Sequence, residues 1–223
     1  MSLTRLPDPD QGVLARSKEI VADLEKLIGA DAVISDEEGR RTFEADALVA
    51  YRRVPLVVVL PRTTEQVSKV LKYCNDNRIK VVPRGAGTSL CGGALPAEDA
   101  VVIGISRMNR VLDADFVNRT ITVETGITNL AVTEAVSAEG FFYAPDPSSQ
   151  LARTLGGNLA MNSGGAHCLK YGVTTNNALG ARIAPTHASF VARGRPQHDA
   201  HASSTPAAVA GQAAHPLLVT PDT

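Results

Sequence analysis

The chain has 223 residues, of which 44% are hydrophobic, and a formal net charge of −1, so one or two domains with a sizeable core are expected. The near-zero charge and the absence of Trp, with only 4% aromatic residues, argue against nucleic acid as a partner. The longest aliphatic run, residues 54–60, has the length of a strand, so we expect no transmembrane segment. Three separated cysteines and a polar, proline-broken start predict a reduced, cytoplasmic protein.

The first half of the chain alternates helical and strand patterns. Apolar residues recur at helical spacing over 13–29, which predicts an amphipathic helix. A short β-branched run at 55–60 predicts a buried strand, and the Thr63–Gln66 pair predicts a capping box that begins the next helix. A second strand is predicted over 79–82, and this β-α-β order predicts a parallel pair of strands joined by a right-handed crossover.

The following stretch adds further strands and one helix. Residues 100–105 and 119–124 both have strand patterns. Thr128 is expected to cap a helix that ends before Gly140, and a short strand is predicted over 141–143. Together these elements predict an α+β fold with mixed strands.

A glycine-rich loop follows the second predicted strand, at residues 83–93. It contains four glycines, two hydroxyl side chains and Arg84, and no carboxylate. Backbone without Cβ atoms can approach a ligand closely and direct successive N–H groups at an anion, and an arginine adds a charge suited to phosphate. The loop therefore predicts a diphosphate-binding segment, in which a side chain at Gly87 would block the approach of the phosphate.

Two other nucleotide-binding loops are excluded here. The Rossmann fingerprint would need a glycine where Leu90 stands, and Pro96 interrupts the stretch in which its helix should begin. A P-loop would need a Gly-Lys-Ser/Thr sequence, which does not follow. The remaining alternative is a tight glycine turn between two strands.

A second segment rich in Gly, Asn and Ser fills residues 145–180. Its motifs are Pro-Asp-Pro-Ser-Ser at 145–149, Thr-Leu-Gly-Gly-Asn at 154–158, Asn-Ser-Gly-Gly at 162–165 and Lys-Tyr-Gly at 170–172. Such a segment is typical of backbone that surrounds a ligand, although a loop-rich connector has a similar composition.

In order and spacing, these motifs resemble the FAD-linked oxidases of the vanillyl-alcohol-oxidase superfamily. The resemblance extends over 13–184, includes Val-Glu-Thr-Gly at 123–126, and is strongest to the group of glycolate oxidase FAD-binding subunits and D-lactate dehydrogenases. It implies a PCMH-type FAD-binding domain of two α+β subdomains at 40–184, preceded by an N-terminal helical segment at 1–39.

The resemblance also implies a set of cofactor contacts. The FAD diphosphate would be bound through the main chain of Arg84, Gly85, Ala86, Gly87, Thr88 and Ser89. The ribityl and flavin side would be lined by Pro145, Asp146, Thr154, Gly156, Gly157, Asn158, Gly164 and Gly165. Because the first loop contains no histidine, we expect the FAD to be bound non-covalently.

Family members of this kind oxidise a small 2-hydroxy acid, such as glycolate or D-lactate, by hydride transfer to FAD. Electrons then leave to an acceptor subunit, a quinone or a cytochrome, and some relatives deliver them at the inner membrane surface. The family's downstream catalytic motifs do not occur in this sequence, so no catalytic residue is assigned. The alternatives are a non-catalytic flavin-binding fragment and a fragment without function.

Three residues of the second segment have two interpretations each. His167 is either a proton-transfer group near the flavin or, as we favour, an ordinary polar contact on a loop. Cys168, like Cys91, is either a redox partner or, as we favour, a small packing residue, since neither has a neighbouring cysteine. Tyr171 is either a neighbour of the cofactor or a core aromatic residue.

The last 39 residues, 185–223, differ in composition from the rest of the chain. They contain no Lys or Glu, nine Ala, five Pro and four of the five His. We expect an FAD-binding domain that is incomplete at its C-terminus, followed by a frame-shifted or disordered tail. His198 and His201 could recruit a metal ion adventitiously, but no metal site is expected because no Cys or Glu completes a ligand set there.

Overall fold

The computed structural model describes residues 6–184, 191–194, 212–213, 215–218 and 220–221. The helices are α1 (Gln11–Ala15), α2 (Ser17–Ile28), α3 (Glu37–Arg41), α4 (Thr64–Asp76), α5 (Asn129–Ser137), α6 (Leu155–Met161), α7 (Cys168–Tyr171) and α8 (Thr174–Asn177), with a 3₁₀ turn at Ala30–Ala32. The strands are β1 (Val33–Ile34), β2 (Val57–Val59), β3 (Lys80–Arg84), β4 (Ala100–Gly104), β5 (Val111–Asp115), β6 (Thr120–Val123), β7 (Phe141–Phe142), β8 (Gly180–Ile183), β9 (Val191–Gly194), β10 (Gln212–Ala213), β11 (His215–Leu218) and β12 (Thr220–Pro221).

The first α+β unit is a four-stranded sheet in the order β1-β2-β4-β3. Strands β2 and β3 are parallel, as predicted, but each pairs with β4, which lies between them. Helices α2 and α4 contribute Leu24 and Leu71 to a core with Val57 and Val101 of the sheet. Burial of each such side chain contributes about 1.5–3 kcal/mol, so this core holds the parallel strands in place.

Two details of the first unit differ from the sequence-based prediction. The helix expected over 13–29 is divided at Arg16, which ends α1 and precedes α2; its guanidinium donates to the carbonyl of Asn77 at 3.3 Å. The capping box of α4 is only half formed. Thr63 Oγ1 accepts the N–H of Gln66 at 3.2 Å, but the Gln66 side chain accepts the N–H of Arg62 instead of that of Thr63.

The second α+β unit packs α5 and α6 against β6. Its core contains Ile121, Val123, Val132 and Leu155. Helix α5 begins and ends as the sequence predicts, since Thr128 Oγ1 accepts the N–H of Ala131 and a glycine with φ +74° follows. The α+β class and the two units are therefore confirmed.

Four short strands lie within residues 185–223. Strands β9 and β10 pair with β8, β11 pairs with β6, and β12 pairs with β7, all antiparallel. The other residues of this segment, including His198 and His201, lie outside the described residues. The expectation of a frame-shifted or disordered tail beyond residue 184 therefore stays a prediction.

Two kinds of feature are missing from the part of the chain that the structure describes. No helix there is long and apolar enough to cross a membrane. That part also contains no group of three or more His, Cys, Asp or Glu side chains that could hold a metal ion.

Candidate functional site

The glycine loop leaves β3 at the edge where the carboxyl ends of the parallel strands meet. No helix follows it before β4, as predicted. The carbonyl of Ser89 accepts the N–H of Ala47, and its hydroxyl accepts the N–H of Cys91. Within the described residues, however, none of the N–H groups of 85–89 donates a hydrogen bond. The loop therefore presents a run of free donors at the sheet edge.

The guanidinium of Arg84 points to protein carbonyls behind this loop. Its Nη1 donates to the carbonyl oxygens of Ala45 at 2.7 Å and Ala94 at 3.3 Å. Its Cζ lies 5.5 Å from the ring centroid of Phe43. Burial lowers the pKa of Arg84, while the nearby Asp46 carboxylate acts in the opposite direction. Nη1 of the guanidinium that we expected to attract phosphate is thus already bonded to protein carbonyls.

Gly87 lies directly against this guanidinium. Its φ is +72°, and a Cβ built on it would lie 2.6 Å from Arg84 Cζ. A side chain at this position is therefore excluded by the protein behind the loop, as well as by the backbone conformation. The sequence-based explanation, in which the side chain would block the phosphate from the ligand side, stays a prediction.

The two glycine-rich segments meet at Gly85. A Cβ at this position would overlap Thr154 Oγ1 and would lie 3.8 Å from the Cα of Gly157. The predicted diphosphate loop and the Thr-Leu-Gly-Gly-Asn motif are therefore direct neighbours. They form one site, as the sequence interpretation requires.

The start of α6 is held by the segment that follows β6. The N–H of Leu155 donates to the carbonyl of Ile127, and the N–H of Gly156 donates to that of Thr125 at 2.8 Å. The N–H of Gly157 donates to Thr154 Oγ1 at 3.3 Å. The N–H groups of Leu155, Gly156 and Gly157 are therefore already bonded within the protein.

The Val-Glu-Thr-Gly motif connects α6 to the end of β4. The N–H of Gly126 donates to the carbonyl of Met108 at 2.7 Å. The buried Glu124 carboxylate accepts the backbone N–H and the guanidinium of Arg110, at 2.9 and 2.7 Å. This motif thus fixes the position of the second glycine segment relative to the parallel sheet.

Two buried amides connect α6 to the segment at 145–146. Asn158 Nδ2 donates to Asn129 Oδ1 at 2.7 Å, and Asn129 Nδ2 donates to the carbonyl of Pro145 at 2.8 Å. Both asparagines are completely buried. The side chain of Asn158 therefore bonds to another buried side chain of the protein, and its contact with a ligand stays a prediction.

Asp146 organises the loop that contains Gly165. Its carboxylate accepts the N–H of His167 at 3.1 Å and lies 2.7 Å from His167 Nδ1. A Cβ at Gly165 would overlap the main chain of Asp146. His167 thus makes the polar loop contact that we favoured. Gly164 packs beside Cys168, because a Cβ added to Gly164 would lie 3.2 Å from the Cβ of Cys168.

Arg153 is a candidate residue that the sequence interpretation missed. It directly precedes Thr154 and is partly buried, and its guanidinium makes no hydrogen bond or ion pair with the described residues, although its main chain bonds to Ser149 and Asn129. Burial lowers the pKa of its guanidinium. The sequence could have indicated this residue, because it is the basic residue that directly precedes the Thr-Leu-Gly-Gly-Asn motif. A cation without a partner at this junction could bind an anionic ligand.

These residues fit the diphosphate of a dinucleotide. The loop combines free N–H groups, the hydroxyls of Thr88 and Ser89, and glycines against which backbone or ligand can pack closely. Phosphate oxygens accept hydrogen bonds from such donors without needing a helix N-terminus.

Comparison with known proteins agrees with this geometry. Residues 55–186 match the FAD binding domain family. The chain is 47% identical over 174 residues to the glycolate oxidase subunit GlcD of Escherichia coli, which covers 78% of this chain and 34% of that protein. It is 36% identical over 150 residues to a D-lactate dehydrogenase of Anaerostipes hadrus, which covers 67% of this chain and 31% of that protein.

A solved structure shows the same fold. An alkyldihydroxyacetonephosphate synthase superposes with a TM-score of 0.79 at 22% identity, covering 97% of this chain and 42% of that one. The chain spans about a third of the length of the curated relatives that it matches.

Proposed function

Because the chain belongs to the FAD binding domain family, we propose that it is the FAD-binding portion of a flavin-dependent oxidoreductase that oxidises a small 2-hydroxy acid. Glycolate and D-lactate are the proposed substrates, since similar proteins are a glycolate oxidase subunit and a D-lactate dehydrogenase. FAD, when bound, supplies the hydride acceptor for such an oxidation.

One observation carries the FAD-binding part of the proposal. The N–H groups of residues 85–89 are free within the described residues, and Gly85 lies against Thr154 and Gly157 of the second glycine segment. A dinucleotide needs anion donors beside close-approaching backbone, and both are present at this junction. We assign the diphosphate to the loop and the flavin side to the segments around Asp146 and Gly165.

Two further features of the proposed cofactor and partners follow from the sequence. The FAD is bound non-covalently, because residues 84–93 contain no histidine that could form a link to the flavin. Electrons leave to a separate acceptor, either a subunit, a quinone or a cytochrome. The description of GlcD as a subunit supports an assembly with other chains, which we place in the cytoplasm or at the inner membrane surface.

The visible absorption spectrum tests this proposal. The chain is expressed, desalted and scanned, and a yellow protein with flavin bands is expected. Anaerobic addition of glycolate or D-lactate then separates catalysis from binding, because the flavin is bleached only if the chain itself transfers the hydride of the acid to it. Released flavin in the supernatant after denaturation would confirm the non-covalent form. A folded but colourless protein that takes up no added FAD would contradict the proposal.

A flavin-binding module without catalysis of its own is the second candidate. It is the alternative because no catalytic residue is assigned in this sequence. Flavin bands that remain unbleached by both acids would favour this candidate. A colourless, aggregated chain would instead indicate a fragment without function.

A further inference from the structure

We propose that Arg84 is a positioning residue, whose side chain holds the diphosphate loop from behind and does not contact the phosphate. This inference rests on the proposed FAD-binding function. It assigns the recognition of the diphosphate to the loop backbone, and it assigns the shape of that backbone to one buried guanidinium.

The contacts of Arg84 join three separate segments. Its guanidinium donates to the carbonyl of Ala45, which precedes the first parallel strand, and to that of Ala94, which lies beyond the loop. Arg84 Cζ also lies over the ring of Phe43, 5.5 Å from the ring centroid. Both hydrogen bonds come from Nη1, and the planar guanidinium lies over the Phe43 ring, a geometry that the compact ammonium of a lysine does not reproduce.

The loop passes over this side chain at Gly87. An added Cβ at Gly87 would lie 2.6 Å from Arg84 Cζ and 3.0 Å from Nε, so the guanidinium fills the space on the inner side of the loop. The N–H groups of 85–89 meanwhile remain free of partners within the described part of the chain. The position of the guanidinium therefore determines the path of the loop at Gly87.

A buried carboxylate supports the charge of Arg84 in this place. Asp46 is 5% exposed, and its Oδ1 accepts the N–H of Leu48 at 2.9 Å. Its Oδ2 is buried and has no hydrogen-bond partner among the described residues. Asp46 directly follows Ala45, whose carbonyl accepts the shorter of the two hydrogen bonds from Arg84. This arrangement compensates the cation from the protein side, which suits a structural role.

The first test compares Arg84→Lys and Arg84→Met by the dissociation constants of FAD and riboflavin, which lacks the diphosphate. We expect both variants to bind FAD about tenfold or more weakly, because a retained charge does not restore the planar guanidinium over Phe43. Riboflavin binding should change little. If Arg84→Lys binds FAD as tightly as the unaltered chain while Arg84→Met does not, the side chain is a direct phosphate ligand and the inference is wrong.

Arg40→Lys is the matched control. The Arg40 guanidinium also donates to two carbonyls, of Pro55 at 2.8 Å and Leu56 at 3.2 Å, but these precede β2, at the opposite end of the sheet. This variant should lower the thermal midpoint of unfolding without changing the affinity for FAD. An equal loss of FAD affinity in Arg40→Lys would mean that Arg84 acts only through general stability.

A double-mutant cycle between Arg84 and Gly87 gives a second, independent test. Gly87→Ala should weaken FAD binding strongly in the unaltered chain but much less in an Arg84→Ala background, where the guanidinium no longer occupies the space. We expect a coupling of about tenfold in affinity. Additive effects would contradict the proposed contact. If the unaltered chain does not bind FAD at all, the proposed function fails first and this inference fails with it.

Discussion

Gly85 lies directly against Thr154, so that a Cβ on the glycine would overlap the threonine hydroxyl. The same hydroxyl accepts the N–H of Gly157 and thereby begins α6. The loop after β3 and the helix after residue 154 therefore share one contact point, and neither can shift without moving the other. This contact turns two glycine-rich segments into a single site.

We expect Gly85→Ala to destabilise the protein and to weaken FAD binding. The added methyl group must displace the Thr154 side chain, and overpacking of this kind costs about 1–3 kcal/mol. Urea unfolding and flavin titration measure the two effects. Gly93→Ala is the control in the same loop, because a Cβ there meets nothing within 4 Å. The contact is not essential if both variants behave like the unaltered chain.

Asn158→Leu tests the buried amide connection from α6 to Pro145. Leucine has a similar size but cannot donate to Asn129 Oδ1, which would be left buried without its partner. The expected loss of unfolding free energy is about 1–3 kcal/mol. Asn75→Ala, at an exposed position on α4, should change it by less than about 0.5 kcal/mol. Equal effects of the two substitutions would show that the amides contribute nothing specific.

Arg153→Gln should raise the dissociation constant of FAD. The guanidinium has no partner among the described residues and directly precedes Thr154. Removal of one attracting charge near a diphosphate is expected to lose about 1 kcal/mol, or roughly fivefold in affinity, and to reduce its dependence on salt. Lys72→Gln, on the exposed face of α4, removes the same charge elsewhere. Equal salt dependence in all three proteins would count against a role for Arg153.

Local sequence patterns predicted most elements of this fold correctly. The Thr128 cap and Gly140 bounded α5 because both features act within a few residues of the helix end. The pairing of β2 and β3 with β4 was not predicted, since the β-α-β pattern does not say whether a third strand lies between two parallel ones. The division of the first helix at Arg16 was missed because Val13 and Ile20 keep the helical spacing of apolar residues across it.

The site was predictable in its composition but only partly in its geometry. The glycine loop was recognised from its lack of Cβ atoms and carboxylates, and its proximity to Thr154 follows that interpretation. The direction of the Arg84 guanidinium was not predictable, because its acceptors at Ala45 and Ala94 are backbone carbonyls that carry no sequence signal. For the same reason, the close approach of Gly87 to the Arg84 guanidinium was not predicted.

The pH dependence of stability should reveal the buried Asp99 carboxylate. Burial opposes its ionisation, but Lys80 Nζ at 2.7 Å and the N–H of Asp10 at 2.8 Å outweigh this, so the pKa of Asp99 lies below its ordinary value. A folded-state pKa below the unfolded value of about 3.9 adds stability that is complete above that pH. It is lost as the pH falls through the lower, folded-state pKa.

Asp99→Asn should therefore destabilise the protein near neutral pH, with a difference from the unaltered chain that shrinks in acid. Urea unfolding at several pH values between about 3 and 7 measures this. Asp113→Asn, an exposed substitution on β5, should give a small difference at every pH. A gap between Asp99→Asn and the unaltered chain that widens in acid would reverse the sign of the expected effect and contradict the assignment.

Backbone hydrogen exchange, measured with and without FAD, tests the central claim most directly. The N–H groups of residues 85–89 lack partners within the described residues, so they should exchange rapidly in the free protein. Saturating FAD should slow their exchange markedly, while riboflavin should leave it nearly unchanged. Exchange that stays fast at all of these positions while FAD is demonstrably bound would show that the diphosphate lies elsewhere.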